Sequence, residues 1–513
     1  MLVLSLGVGF RTVNFGDKPF WHWDEQYTLL RASGYTSAEA DRDLLPGRVV
    51  SVADFRKYLK PSPEKGAAGT IFGLATEEPQ HPPLYFLLTR FWQQRFGTSK
   101  LALRTLPLLF NLLTLPALYW LCWELFALPL VGWLAMALYA VSPIMLEFAH
   151  FIRPYSLFLL LAVLASAIFL RSLKYPTRLG WSLYAVTLAV SFYTQLLTGL
   201  VAIAHGTYVL LTERGRLTKA ARGYLLAAIA AIGLVSPWLW VIGQNLLVSQ
   251  RTLQWLTLPS DFWQVVGYGI NNVNRGLVLW HFRDDSSILD VVLIIPVGIL
   301  ISYAFYFLCR HAPWRAGSFI LILLGISFCR FPGRSAGGGT RWINYRYFLI
   351  CYVGIEIAIA YLLAAKLTAE IKANQSGVWS LIAVTLLFVG AISSGIGAVG
   401  ETVWGPSAYE KPLVSLVTRS DRPLVIKECS DCVFYDKLYY PVIFNPGTHL
   451  LILEDAKSLV IPAGFATVFL YSPSDALLSE LDRRNISYQS IYNFNYEIAK
   501  FELSLYKLDL KQR

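Results

Sequence analysis

Charge is scarce in this chain. Of its 513 residues, 15% are Asp, Glu, Lys or Arg and 55% are hydrophobic, with a mean hydropathy of +0.48. A soluble chain carries about a quarter charged residues, so a soluble globular protein is excluded. Cysteine is also scarce, six residues in all, and they make no disulfide framework. Cys122, Cys309, Cys329 and Cys351 lie in or beside apolar runs, where a thiol serves as a small core residue. Cys429 and Cys432 form one C-x-x-C without a second pair or a nearby histidine, which argues against structural zinc. A short-loop disulfide and two free thiols both stay open for that pair. Internal repeats are lacking, as is low complexity beyond Gly337-Gly338-Gly339. No cleavable signal is evident. The first apolar run, Met1 to Phe10, is too short to cross a bilayer, so either the true start lies upstream or this helix borrows length from residues after Arg11.

What is present is a succession of apolar runs near the spanning length of roughly 20 residues. They fall at 101–126, 130–147, 155–172, 180–197, 198–212, 222–242, 287–309, 317–330, 347–365 and 378–399. With the N-terminal run this predicts a polytopic α-helical membrane protein of about eleven transmembrane helices. The net charge of +11 is explained by basic loops on the cytoplasmic side and by anionic lipid, not by nucleic acid. With the N-terminus inside, cytoplasmic loops hold Arg171, Lys174 and Arg178; Arg214, Arg216, Lys219 and Arg222; Arg310 and Arg315; and Lys366 and Lys372. The opposite side then receives a first loop over 11–100, the Glu147–Tyr155 turn, the 243–286 and 331–346 loops, and a tail from Glu401. Within the first loop, His81-Pro82-Pro83 opens an amphipathic segment reaching Phe96-Gly97, which is expected to lie in the membrane interface. The tail, 401–513, has the composition of a soluble domain. Leu424-Val425-Ile426, Leu450 to Leu453 and Thr467 to Leu470 read as buried strands, and Ser474 reads as the N-cap of a helix. A small α/β domain is expected there.

Four stretches could carry chemistry, all on the predicted non-cytoplasmic face. Asp24 and Glu25 stand among Trp21, His22, Trp23 and Tyr27. A carboxylate that is partly desolvated can serve as a general base, although the same spacing fits an ordinary solvated pair. His81, held at a helix start, could donate to a phosphate oxygen; it could equally be a surface histidine. The turn from Glu147 to Tyr155 places Glu147, His150 and Arg153 at the membrane edge, where ionisable groups are expensive and point to function unless they snorkel. Arg330, Arg334, Arg341 and Arg346 flank a glycine-rich loop against the charge rule, and arginine forks match phosphate oxygens. Acids beside many cations on one face suggest a substrate that is both anionic and lipid-linked. A polytopic transporter or flippase is the alternative, but such folds carry paired halves with mid-membrane charges, and this chain shows neither.

These stretches resemble a known family in order. Trp23-Asp24-Glu25-Gln26-Tyr27 is similar to its W…D-E-x-Y element and His81-Pro82-Pro83-Leu84-Tyr85 to its H-P-P-L-Y. Phe96-Gly97 followed by Leu101 to Pro107 is similar to F-G…A-L-R-L-P. Ser142-Pro143 with Arg153-Pro154-Tyr155 is similar to S-P…E-A-R-P-Y, and Arg346-Tyr347-Phe348 to a late R-Y. The family is the GT-C fold glycosyltransferases of the protein O-mannosyltransferase and aminoarabinose transferase type, family 39, and the likeness covers roughly 5–365. There are departures: His150 and Phe151 precede Ile152-Arg153 where the family often has Glu, and Gln195 stands where it often has His. The resemblance implies an integral-membrane transferase in the plasma (inner) membrane, with the active site and the tail on the periplasmic or extracellular face. Its partners would be a polyprenyl-phosphate sugar donor, membrane lipids, and a lipid, glycan or protein acceptor. Asp24 would be the catalytic carboxylate, with Glu25 as orienter or alternate base. His81, Arg153, Arg346, Arg104 and Arg341 would hold the donor phosphate, and Trp23, Tyr27, Tyr85, Tyr155 and Glu147 would contact substrate. No cofactor or catalytic metal would be required, although Asp24 with Glu25 could hold a divalent cation.

Overall fold

The computed structural model describes residues 2–16, 23–43, 47–254, 263, 267, 269–270, 272–273, 276–277, 288–329, 345–374, 377–399, 407–428, 444–496 and 501–509. The chain opens on helix α1 (Leu2–Thr12), and the first loop then folds as α2 (Trp23–Ser33), α3 (Ser37–Asp43), strand β1 (Val49–Ser51), α4 (Val52–Phe55), α5 (Gly66–Glu77) and α6 (Leu84–Phe96). The apolar runs form α7 (Lys100–Phe126), α8 (Pro129–Val141), α9 (Pro143–His150), α10 (Tyr155–Lys174), α11 (Arg178–Thr194), α12 (Thr198–Thr212) and α13 (Lys219–Gln244). After a short α14 (Leu246–Thr252) come α15 (Ile288–His311), α16 (Trp314–Cys329), α17 (Leu349–Lys372) and α18 (Val378–Val399). Among the described residues six of these helices are long and apolar enough to cross a membrane, or seven if the bent pair α8–α9 counts as one. The shorter Leu2–Thr12, Thr198–Thr212 and Trp314–Ser327 are apolar as well. The chain is a multi-pass membrane protein.

Helix α17 is apolar but for Glu356 along its buried stretch, Leu349 to Ala364, as expected of a helix at the centre of a bundle. It packs on α8 and α15, while α10 packs on α7 and α11. The run expected as one span over 130–147 is broken. Ser142 ends α8, Pro143 opens α9, and the axes differ by 65°. Proline has no N–H to continue the ladder, so carbonyls at the end of α8 need other donors. Arg11 supplies them: its Nη1 donates to Ala140 O at 2.6 Å and its Nη2 to Tyr139 O at 3.0 Å. Ser394 Oγ donates to Val141 O at 2.8 Å. Asn111 accepts from Arg11 Nε at 2.8 Å and donates to Met145 O at 2.9 Å. The first helix runs only one residue past Arg11, and that buried arginine is the pin between α1 and the bend.

Helix α6 turns two of its polar residues, Arg90 and Gln93, inward. Arg90 is buried and donates to Ala32 O, Ser33 O and Ser62 O, and Gln93 Nε2 reaches Leu59 O at 3.3 Å. Phe91 and Phe96 stay 53% and 54% exposed. Tyr85 and Phe86 are buried as well, and Gln94 and Arg95 are exposed beside Phe91 and Phe96, so both faces of α6 mix apolar and polar groups.

The tail comprises α19 (Ser407–Thr418), β2 (Pro423–Glu428), β3 (His449–Leu453), β4 (Thr467–Tyr471), α20 (Asp475–Arg483), β5 (Ser487–Tyr496) and β6 (Phe501–Asp509). The sheet order is β1-β3-β2-β4-β6-β5, with β2 parallel to β3 and β4 and the outer pairs antiparallel. Ser474 caps α20, accepting from Leu477 N at 3.1 Å. One edge strand, β1, comes from the first loop, so the sheet is assembled from both ends of the chain.

Candidate active site

Helix α2 carries Asp24 and Glu25 in its first turn, where the helix dipole favours carboxylates. Neighbours on a helix point about 100° apart, and the two acids have different surroundings. Asp24 is 26% exposed at its side chain and forms an ion pair with Arg346, itself 15% exposed. Glu25 is fully buried, and its Oε1 accepts from Ile152 N at 3.0 Å. Glu25 thus grips the backbone of the turn between α9 and α10, while Asp24 faces the cations.

Arg153 lies in that turn and is buried. Its Nη1 donates to Asp24 O at 3.3 Å and to Thr28 Oγ1 at 3.2 Å. Burial works against its charge, but Asp24 and Tyr155 outweigh it and hold the guanidinium above its ordinary range. Arg346, in the 3-10 turn Tyr345–Phe348 that opens α17, also donates to Tyr155 Oη at 3.4 Å. Tyr155 stacks on Phe151 with centroids 5.7 Å apart. His81 has 24% of its side chain open, with Nε2 3.9 Å from Glu78 Oε2. Burial, then the nearby Arg153, push its pKa down to about 3. At neutral pH it offers a neutral ring rather than a charge. Asp24, Arg346, Tyr155, Arg153 and His81 therefore share one site, drawn from four separate stretches of sequence.

Other expected site residues are placed differently. Tyr27 Oη accepts from Arg31, whose guanidinium lies 4.4 Å from the ring centroid. Arg31 in turn pairs with Glu77. This is the interior of the first loop. Tyr85 is fully buried against Leu106, Leu157 and Leu161. Arg104 is buried in α7 and donates to Phe15 O at 2.6 Å. Glu147 accepts from Tyr345 Oη, which ties α9 to the turn that carries Arg346. His150 Nε2 donates to Arg11 O at 2.7 Å. The Trp23 side chain, Arg330, Arg334, Arg341, Cys429 and Cys432 lie outside the described residues. Three contributors went unassigned in the sequence: Thr28, the Ile152 amide and Tyr345. Thr28 could have been found, since it stands one helical turn from Asp24. A backbone amide leaves no such signal.

Further along α10 and α17 from the polar site lies a small apolar cavity of about 20 Å³. Two helices run from the one to the other. Tyr155 is followed along α10 by Leu159, Val163 and Ser166, and Arg346 is followed along α17 by Ile350, Val353 and Ile357; all six line the cavity. Ser166 is the polar exception. Its Oγ donates to Ala162 O and meets His205 Nε2 at 3.1 Å, and His205 Nδ1 meets Tyr184 Oη at 2.9 Å. That histidine is a satisfied core residue.

Residues 80–241 match the family model of the dolichyl-phosphate-mannose-protein mannosyltransferases. No curated protein matches the chain by sequence. Among solved structures, ArnT from Cupriavidus metallidurans bound to undecaprenyl phosphate superposes with a TM-score of 0.55 at 13% identity, covering 99% of this chain and 97% of that one. The same protein in the apo state gives a TM-score of 0.52 at 13% identity with the same coverage. The Archaeoglobus fulgidus oligosaccharyltransferase aligns at 11% identity over 98% of this chain and 72% of its own, with a TM-score of 0.49. The chain is a multi-pass membrane protein with the GT-C glycosyltransferase fold, and it resembles the protein O-mannosyltransferases and aminoarabinose transferases.

Proposed function

We propose that this protein is an integral-membrane inverting glycosyltransferase that moves a sugar from a polyprenyl-phosphate donor to an acceptor hydroxyl on the non-cytoplasmic face. One observation carries the reading: the Asp24–Arg346–Tyr155 cluster caps an apolar cavity through two continuous helix stripes. That shape suits an amphiphile with an anionic head. The acceptor is a lipid, a glycan or a protein.

The chemistry needs one base and several cations. A phosphodiester-linked sugar already has a good leaving group, so no general acid is required. Asp24 takes the proton from the acceptor hydroxyl as its oxygen attacks the anomeric carbon from the side opposite the phosphate. The carbon–phosphate oxygen bond breaks, and polyprenyl phosphate leaves with one more negative charge. Donors aimed at that developing charge lower the barrier. Arg346 is the main one. Paired with Asp24 in this structure, it turns to the phosphate when donor binds, which frees the carboxylate for the acceptor. Arg153 adds charge from beneath, and His81 donates from its neutral ring. Glu25 holds the Ile152 amide and so sets the turn that presents Arg153; it is a positioning acid. With the described oxygens of Asp24 and Glu25 engaged by Arg346 and by that amide, no step is assigned to a cation between them.

The test is sugar transfer by purified protein from a polyprenyl-phosphate sugar. Asp24→Asn keeps the shape and removes the base, so turnover should fall about 10²–10⁴-fold with the fold intact. Full activity in that variant would refute the assignment of the base.

A further inference from the structure

The tail has no role in the scheme above, yet it reaches the helix that carries Asp24. Strand β1 pairs antiparallel with β3, with Val49 opposite Leu451, Val50 opposite Leu450 and Ser51 opposite His449. The pairing continues at both ends. Gly47 N donates to Ile452 O at 2.8 Å and Val52 N to Thr448 O at 3.0 Å. Beyond the strand, Arg56 Nη2 donates to Phe444 O at 3.3 Å. Side chains alternate along a strand, and here they enter different cores. Val49 packs against the core that holds Leu451 and Ile426. Val52 is buried in the core on the other side, with Val425 and Phe469. Val50 packs with Tyr27, Leu30, Phe55 and Tyr58. Tyr27 and Leu30 belong to α2, less than two turns from Asp24.

Helix α2 is therefore held from two directions. The α9–α10 turn grips it through Glu25 and Arg153. The segment from Gly47 to Leu59 grips it through Phe55 and Tyr58, and that segment is itself a strand and a core element of the tail. We infer that the tail is a positioning element for catalysis: by taking Val49–Ser51 into its sheet, it fixes α2 and so sets Asp24 against the acceptor. The cavity is lined from the bundle, and among the described residues none of its lining belongs to the tail, whereas Arg153 and Arg346 also contact α2. Loosening this junction should therefore cost turnover more than donor binding. The inference rests on the transferase reading given above.

The experiment uses the full chain. Val52→Asp puts a charge into the joint core. It should lower kcat about tenfold or more, since small misplacements of a reacting group are costly, while donor affinity, to which Arg153 and Arg346 contribute from elements bonded to α2, falls less than kcat does. Amide exchange over residues 23–33 should rise about tenfold as α2 opens locally. Ser51→Cys with His449→Cys, added to that variant, offers a disulfide across directly opposed strand residues, a spacing a disulfide can bridge. Oxidation should restore kcat and slow the exchange, and reduction should undo both. Because a disulfide also stabilises the fold in general, kcat is taken per donor-binding molecule, so that a lost folded population does not count as lost turnover. If Val52→Asp does not fold, the same cysteine pair in the otherwise unaltered chain decides: oxidation should leave kcat within about twofold and slow exchange in α2 further. Wild-type turnover in Val52→Asp, no rescue on oxidation, or loss of activity when the junction is locked would each overturn the inference. If the unaltered protein transfers no sugar, the functional reading fails, while exchange over 23–33 still reports whether the junction holds α2.

Discussion

Two sets of buried charges in this molecule are used in opposite ways. Inside the bundle, at the bend between α8 and α9, the Arg11 side chain donates to three carbonyls and to Asn111. At the end of the bundle, Arg346 meets a carboxylate and a phenol, and both members of the ion pair keep part of their surface open. Bonds to main-chain carbonyls cannot be given up without unpicking the helices that present them. Bonds between side chains can be exchanged for bonds to a ligand. Arginine thus serves as a structural pin in one region and as a displaceable placeholder in the other.

Substitutions at the two arginines should separate these uses. Arg346→Ala removes the proposed phosphate contact and leaves Asp24 without its partner. Transfer should fall about 10²–10³-fold, the range for losing one transition-state donor, with thermal unfolding almost unmoved. Arg11→Met keeps an apolar stem but orphans the carbonyl of Ala140 and leaves that of Tyr139 only the long bond from Ser142 N at 3.3 Å. Unsatisfied buried groups cost about 1–3 kcal/mol each, so the midpoint of thermal unfolding in detergent should drop clearly, while kcat of the surviving folded fraction changes little. If Arg346→Ala unfolds the protein, or Arg11→Met stays stable, the distinction collapses.

A smaller effect is expected in the cavity. Gly354 lines it, and a Cβ there would come within 2.6 Å of Leu324. Gly354→Leu should push side chains into the space below Arg346. Donor KM should rise about tenfold, the cost of overfilling a packed site by about 1–3 kcal/mol, with little change in kcat at saturating donor. An unchanged KM would mean that the lipid tail lies elsewhere.

The bundle was legible because its residues repeat one pattern many times over, and the site was legible as a set because its stretches all sit at loop ends on one predicted face. Direction within the site was not. Asp24 and Glu25 are adjacent and chemically alike, and only the fold sends one to Arg346 and the other to the Ile152 amide. The same limit applies to Tyr27 and Tyr85: only the fold shows that Tyr27 accepts from Arg31 and that the Tyr85 ring packs among leucines, with Glu25 and Arg153 in electrostatic reach of its hydroxyl. Helix α6 looked amphipathic, yet amphipathicity does not say which face turns inward; Arg90 could fold in because three carbonyls were waiting for it. The junction with the tail left no trace. Val49–Ser51 is three residues long, too short for periodicity, and its partner strand lies about 400 residues away.

The most modest expectation concerns His81, the histidine at the site, whose ring burial holds neutral. Its pKa is about 3 in the folded protein, against roughly 6.5 in an unfolded chain. Above pH 6.5 both states carry a neutral ring, and His81 makes stability no different. As pH falls below 6.5 the unfolded chain takes up a proton that the folded chain refuses, so stability is lost progressively down to about pH 3. Between pH 6.5 and 5 the loss from this one group is about 1–2 kcal/mol. His81→Gln keeps an N–H donor and cannot titrate. Its unfolding midpoint should match the unaltered protein at pH 7.5 and exceed it increasingly toward pH 5, and its transfer rate at pH 7.5 should fall only about threefold to tenfold, the worth of one neutral hydrogen bond. Were His81 instead a cation in the folded site, facing phosphate as Arg346 does, the unaltered protein would gain on His81→Gln as pH falls. The sign of that difference therefore tells whether His81 belongs with the exchangeable charges or with the neutral frame around them.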